Sequence, residues 1–191
     1  MVGAGAVVTV DVPSNAIVSG NPAQIRGYVD SAPAGEPSRL RPSAEPSAGP
    51  CRVEGVSIVP LRLATDARGS VAVAQVGSQL PFIPRRVFFV YDVPSREVRG
   101  EHAHRKEEQL LVCVKGSCSL VVDDGKRREE LLLDSPCRGV HLRPMVWGVQ
   151  YKFSPDAVLA VAASNEYDPG EYVRDYEEFL ALAGTGAARQ R

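Results

Sequence analysis

The sequence predicts a mainly β fold, a sandwich or barrel of short strands followed by one C-terminal helix. Three observations predict it. From residue 56 to residue 164 the runs "VSIVPL", "SVAVAQV", "RRVFFVYDV", "QLLVCVKGSCSLVVDDG", "REELLLD", "GVHLRP", "VQYKFS" and "AVLAVAAS" are separated by Gly, Pro and Asp turns, the spacing of a sandwich or barrel. "LVVDDGKRREELLL" places Asp-Gly between two such runs, and that dipeptide suits a tight hairpin turn with positive φ. Only the tail, "DPGEYVRDYEEFLALAG", has helical periodicity, with Tyr172, Tyr176, Phe179 and Leu180 at three- and four-residue spacing and Gly184 as a stop.

In chain order, residues 1–30 come first. "VGAGAVVTVDVPSNAIVSGNPAQIRGYV" alternates small residues with Val2, Val8 and Ile17. This resembles the end of a left-handed parallel β-helix, the hexapeptide-repeat fold of sugar acyltransferases. A solenoid needs about three coils to bury a continuous core, and here there is little more than one. Residues 1–50 contain no histidine, so no acyltransferase activity is expected. The piece reads as the remnant of a fused partner domain, or as the product of a start site inside a longer gene. Residues 31–50, "SAPAGEPSRLRPSAEPSAGP", bury too little apolar surface to offset ordering entropy and read as a disordered linker. Residues 51–184 form one domain of ordinary size, and 185–191 are a tail.

Composition narrows the function. The 22 Lys+Arg nearly balance 23 Asp+Glu, so the basic surplus of a nucleic-acid-binding protein is missing. No run approaches the roughly 20 apolar residues of a membrane helix, and the N-terminus lacks a basic leader; a cytoplasmic protein with no membrane partner is expected. Cys51, Cys113, Cys118 and Cys137 form no C-x-x-C pair. They read as thiols rather than as a zinc site or a disulfide framework, with Cys113 and Cys118 buried in apolar strands.

Two of the three histidines lie in "VRGEHAHRKEEQLLV", residues 98–112. On an extended segment His102 and His104 point to one face with α-carbons ~6.6 Å apart. An H-x-H on a barrel strand raises the cupin metal pattern of two histidines, a glutamate and a third histidine from a later strand. Here Gln109 stands where the glutamate would fall, with Glu108 at a shorter spacing. The later strand offers Gly148, and His141 lies seven residues too early. Three or four well-directed ligands are needed, so no metal is expected. Without metal, two facing imidazoles make a general acid/base pair suited to isomerisation beside a carbonyl.

From residue 53 to about 182 the chain closely resembles the sugar nucleotide 3,4-ketoisomerases, cupin-fold (jelly-roll) enzymes acting on dTDP-4-keto-6-deoxyglucose. The resemblance rests on "DARGSV", "PFIPRRVFFVYDV", "RGEHAHRKEEQLLVCVKGSCSLVVDDG", "LLLDSP", "VWGVQYKFSPDAVLAVAAS" and "YDPGEYVRDYEEF". It implies transfer of a keto group from carbon 4 to carbon 3 through an enediol with no cofactor. His102 would be the leading base and His104 its partner. Arg68, Arg86 and Arg99 match positions around the pocket and would bind the substrate's diphosphate, Arg68 and Arg99 foremost, while Gln109 would line the histidine face. Relatives are homodimers, and an exchange of N-terminal strands between subunits is compatible with this chain. Some relatives are fused behind a hexapeptide-repeat acyltransferase, which would account for residues 1–30.

The chain departs from the family pattern at Phe88, where many relatives carry a tyrosine suspected of relaying protons; Tyr91 or water would have to substitute. It departs again at Gly148, which replaces a bulkier polar residue, so the resemblance leaves the gluco or galacto configuration at carbon 4 open. Two other functions compete: a related cupin epimerase and a non-catalytic sugar-nucleotide-binding module.

Overall fold

The structure, a computed structural model, describes residues 1–31, 51–94 and 96–186. Two five-stranded antiparallel sheets face each other. The first has the order β10 (Arg128–Leu133), β9 (Cys118–Asp123), β12 (Trp147–Tyr151), β7 (Arg99–His104) and β14 (Tyr172–Val173). The second runs β3 (Val56–Pro60), β11 (Arg138–Leu142), β8 (Gln109–Lys115), β13 (Val158–Ala163) and β6 (Arg86–Tyr91). From β6 to β14 the chain crosses between the sheets at every step except the β9–β10 hairpin, where the expected Asp-Gly turn lies and Arg128 pairs with Asp123. Such alternation is the topology of a jelly roll, as the resemblance implied.

Strand parity decides what fills the interior. Leu111 and Cys113 of β8, Cys118, Leu120 and Val122 of β9, Val140 and Leu142 of β11, and Leu159 and Val161 of β13 form one buried cluster between the sheets. The opposite parity faces outward and still needs cover. On the second sheet Leu110 and Val112 are covered by Leu61, Leu80 and Phe82. On the first, Ala103, Val121, Trp147, Val149 and Tyr151 are covered from both ends of the chain, by Ala16, Val18 and Tyr28 and by Phe179.

That first cover brings residues 1–31 onto the barrel. β1 (Ala16–Ser19) and β2 (Gln24–Tyr28) form a hairpin, and the preceding residues stack on it in parallel, with a Val2–Val18 bridge and Gly3 N–H donating to the Val18 carbonyl at 2.7 Å. Tyr28 meets Tyr151 edge-on at 5.2 Å, and Arg128 donates to the Val29 carbonyl at 2.7 Å. The expected linker, apart from Ser31, lies outside the described residues, as do 187–191 of the tail. All four cysteines carry free thiols, and Cys113 and Cys118 are fully buried.

A second hairpin, β4 (Arg62–Asp66) with β5 (Gly69–Val73), stands apart as its own two-stranded sheet. Its residues are almost all exposed.

The tail departs from the periodicity argument. Tyr172 belongs to strand β14, and helix α1 spans Tyr176–Gly186, running past Gly184. Asp168 caps a single turn at Pro169–Glu171 by accepting from Gly170 N–H at 2.8 Å. The chain then extends, so that Tyr172 pairs with His104 and Val173 with Ala103. Asp175 accepts from Glu178 N–H at 2.8 Å and starts the helix there.

Candidate active site

The histidine pair is aimed by an irregular stretch of β7. Gly100 and Glu101 both adopt left-handed φ, 86° and 57°, opposite a register shift between Gly148 and Val149 of β12. A Cβ at position 100 would lie 2.5 Å from the Gly148 carbonyl oxygen, so only glycine fits. The bend brings the His102 ring back over its own strand, where Nδ1–H donates to the Gly100 carbonyl at 2.8 Å. His102 and His104 stand edge-to-face with ring centroids 4.8 Å apart. They line one narrow interior pocket with Glu107, Gln109, Leu142, Arg143, Gly148 and Gln150.

A chain of four side chains fixes His104. Arg86 Nη2 lies 3.0 Å from both carboxylate oxygens of Glu107. Gln109 Nε2 lies 2.7 Å from Glu107 Oε1 and 3.0 Å from His104 Nε2. The reversed amide would set its carbonyl oxygen against the carboxylate, so the NH2 group faces both partners and donates to each. His104 Nε2 is therefore an acceptor, and its proton sits on Nδ1, which is buried with no partner among the described residues. Burial foremost, then the neighbouring His102, Arg86 and Arg174, pushes the His104 pKa down to about 3. Burial also lowers His102, assisted by Arg174 and opposed by the Gly100 hydrogen bond. Both rings are neutral at neutral pH, and they differ in polarity. His102 offers a lone pair at Nε2; His104 offers a proton at Nδ1.

Tyr172 backs the pair. Its ring centroid lies 4.8 Å from that of His102 and 4.5 Å from that of His104, and the Arg174 guanidinium lies 4.3 Å over the ring.

Of the residues nominated from sequence, His102, His104 and Gln109 line the pocket together, and Arg86 supports them through Glu107. Arg99 opens β7 on its exposed side. Arg68 sits on the β4–β5 hairpin, its side chain 90% exposed and ion-paired with Asp66. Sequence reasoning missed Glu107, Tyr172, Arg143 and Gln150. Glu107 had a signal, since it shares strand parity with Gln109. Tyr172 had none, because its spacing to Tyr176 and Phe179 reads equally well as one helix face.

The donor set does not fit a metal. The lone pair of His104 Nε2 is used by Gln109, the Glu107 carboxylate is held by Arg86 and Gln109, and Gly148 supplies no ligand. His141 lies on the outer face of the second sheet, its ring 5.9 Å from Phe82 and its Nε2 2.7 Å from Glu108 Oε2. Among the described residues no group of three or more His, Cys, Asp or Glu side chains is placed to hold one.

Three comparisons bear on this geometry. The family model described as "FdtA: WxcM-like, C-terminal" matches residues 54–184. A curated relative from Aneurinibacillus thermoaerophilus, a TDP-4-oxo-6-deoxy-alpha-D-glucose-3,4-oxoisomerase, is 43% identical over 114 residues, 60% of this chain and 82% of its own. Among solved structures, a 3,4-ketoisomerase from Helicobacter canadensis superimposes with a TM-score of 0.67 at 33% identity, covering 70% of this chain and 99% of that one. The WlaRB TDP-quinovose 3,4-ketoisomerase from Campylobacter jejuni gives 0.66 at 36% identity, covering 68% and 99%.

Proposed function

Because this chain belongs to the FdtA (WxcM-like, C-terminal) family, we propose that it is an isomerase moving the keto group of a dTDP-linked 4-keto-6-deoxyhexose from carbon 4 to carbon 3. One observation carries the mechanism: two neutral imidazoles of opposite polarity face a single pocket. His102 Nε2 removes the carbon 3 proton, which the adjacent ketone acidifies. His104 Nδ1–H donates to the carbon 4 oxygen and stabilises the charge that develops there. The enediol collapses when His102, whose Nε2 proton exchanges with solvent in the meantime, protonates carbon 4, while the hydroxyl proton passes from the carbon 3 oxygen to the carbon 4 oxygen. Phe88 has no hydroxyl to carry it and Tyr91 points outward, 61% exposed; water carries it. No electrons leave the sugar, so no redox cofactor takes part.

NMR of dTDP-4-keto-6-deoxyglucose with the enzyme in deuterated water tests this reading. Deuterium enters carbon 4 and the 3-keto product accumulates; His102→Asn lowers the rate by about 10²- to 10⁴-fold. No exchange and no product would overturn it. Deuterium at carbon 5 with the ketone unmoved would make the protein an epimerase, and dTDP binding without turnover would make it a binding module.

We further assign a homodimer, on the ground that β4–β5 stands off its own barrel while β6, an edge strand, exposes Val87, Phe89 and Tyr91. An open edge with apolar side chains calls for a partner strand. We assign the enzyme to the cytoplasm on the ground of its nucleotide-sugar substrate and its free thiols.

A further inference from the structure

Moving a ketone between neighbouring carbons makes demands on two oxygens, and the histidine pair serves only one of them. His104 Nδ1–H serves the carbon 4 oxygen. The carbon 3 oxygen begins as a hydroxyl and ends as a carbonyl, so its partner must accept a hydrogen bond before the reaction and donate one after it. A primary amide can do both, whereas a carboxylate only accepts and a guanidinium only donates.

Among the described residues that line the pocket none carries a hydroxyl, and two carry an amide. Gln109 is committed, since its NH2 group donates to Glu107 and His104. Gln150 is not. Its half-buried side chain makes no hydrogen bond among the described residues. Strand parity turns it inward: it pairs with Leu120 of the interior, while its neighbours Val149 and Tyr151 face out. Two glycines make room for the amide. A Cβ at position 100 would lie 3.1 Å from both Nε2 and Oε1 of Gln150, and one at position 148 would lie 3.9 Å from Nε2. These glycines are also the residues that His102 contacts, because its ring donates to the Gly100 carbonyl and its backbone pairs with Gly148. Gly100, His102 and His104 follow in that order along β7, so the Gln150 amide and the His104 imidazole stand on opposite sides of the base. Two neighbouring oxygens of a sugar flank the carbons between them in the same way.

We infer that Gln150 holds the carbon 3 oxygen, accepting from its hydroxyl in the substrate and donating to its carbonyl in the product; the inference rests on the reading of the site as a 3,4-ketoisomerase. Water carries the proton between the two oxygens, and Gln150 favours collapse of the enediol to the 3-ketone over its return to the 4-ketone. That partition can be read directly. When solvent-exchanged His102 reprotonates carbon 3, deuterium appears in the recovered substrate; when it protonates carbon 4, product forms. NMR of the full chain with dTDP-4-keto-6-deoxyglucose in deuterated water follows both fates. Gln150→Met keeps the length of the side chain and removes the amide. It is expected to slow product formation about 10- to 100-fold while deuterium continues to enter carbon 3, so the ratio of product to exchange falls. Gln150→Glu can donate only when its carboxyl is protonated. Its ratio is therefore expected to recover as the pH is lowered, and that of Gln150→Met is not. A Gln150→Met chain that forms product within twofold of wild type, or that loses exchange and product in equal proportion, would overturn the inference while leaving the functional reading intact. A wild-type chain that gives neither exchange nor product would overturn both.

Discussion

At the scale of the residue, the neutrality of His104 should be measurable as stability. Its pKa lies at about 3 in the folded chain against 6.5 for a free side chain. Between those values the unfolded chain binds a proton that the folded chain refuses, so stability rises with pH and is lost as the pH falls from 6.5 towards 3. One such group contributes a slope of about 1.4 kcal/mol per pH unit in the middle of that window. Urea unfolding at pH 7, 5.5 and 4.5 should show this loss, and His104→Asn should flatten it; an equal slope in the variant would mean that other groups carry it. The pair itself was legible in the sequence, because alternation alone puts His102 and His104 on one face. The division of roles was not. It depends on the left-handed turn at Gly100 and Glu101 and on a relay that runs from Arg86 through Glu107 to Gln109, and β6 and β8, which carry Arg86 and Gln109, are brought together only by their shared neighbour β13.

At the scale of the element, the informative case is the N-terminal hairpin. Its small-residue pattern suggested a separate solenoid fragment, and the sequence offered no signal that β1 and β2 lie on the barrel. Their burial depends on the outward-facing parity of β9 and β12, where Val121, Val149 and Tyr151 form an apolar surface that needs cover. A single face of alternating residues is easy to read from sequence; which other element covers it is not. The tail helix shows the same limit, since Tyr172 satisfied a helical spacing while ladder pairing to β7 and the Asp175 cap set the true start. Tyr28 anchors the hairpin, 4% exposed against Tyr151. Tyr28→Ala should cost about 3–5 kcal/mol, the usual loss for a large buried ring, and lower the melting temperature. Tyr28→Phe should be neutral or stabilising, because the hydroxyl is buried without a partner among the described residues. Were Tyr28→Ala to melt with the wild type, the hairpin would not be part of the cooperative fold.

At the scale of the whole molecule, the proposed dimer gives Arg68 a site that its own subunit does not offer. Its hairpin touches none of the pocket, yet β6 carries Arg86 inward and exposes Val87 and Phe89, 58% and 57%, along the second sheet's edge. A hairpin laid along β6 of a second copy would satisfy that edge and carry Arg68 towards the partner's pocket, in the reciprocal manner of a two-fold interface. Sedimentation should then give a dimer for the wild type. Phe89→Glu, which puts a charge on the exposed face of that edge, should shift it towards monomer without unfolding the barrel. Arg68→Ala and His102→Asn should each be nearly inactive, yet mixing them under subunit exchange should restore about a quarter of wild-type activity, because half the dimers are mixed and each has one intact site. Were Arg68 to serve its own subunit, the mixture would give only the average of the two variants. A fully active Arg68→Ala chain would remove this arginine from the site altogether.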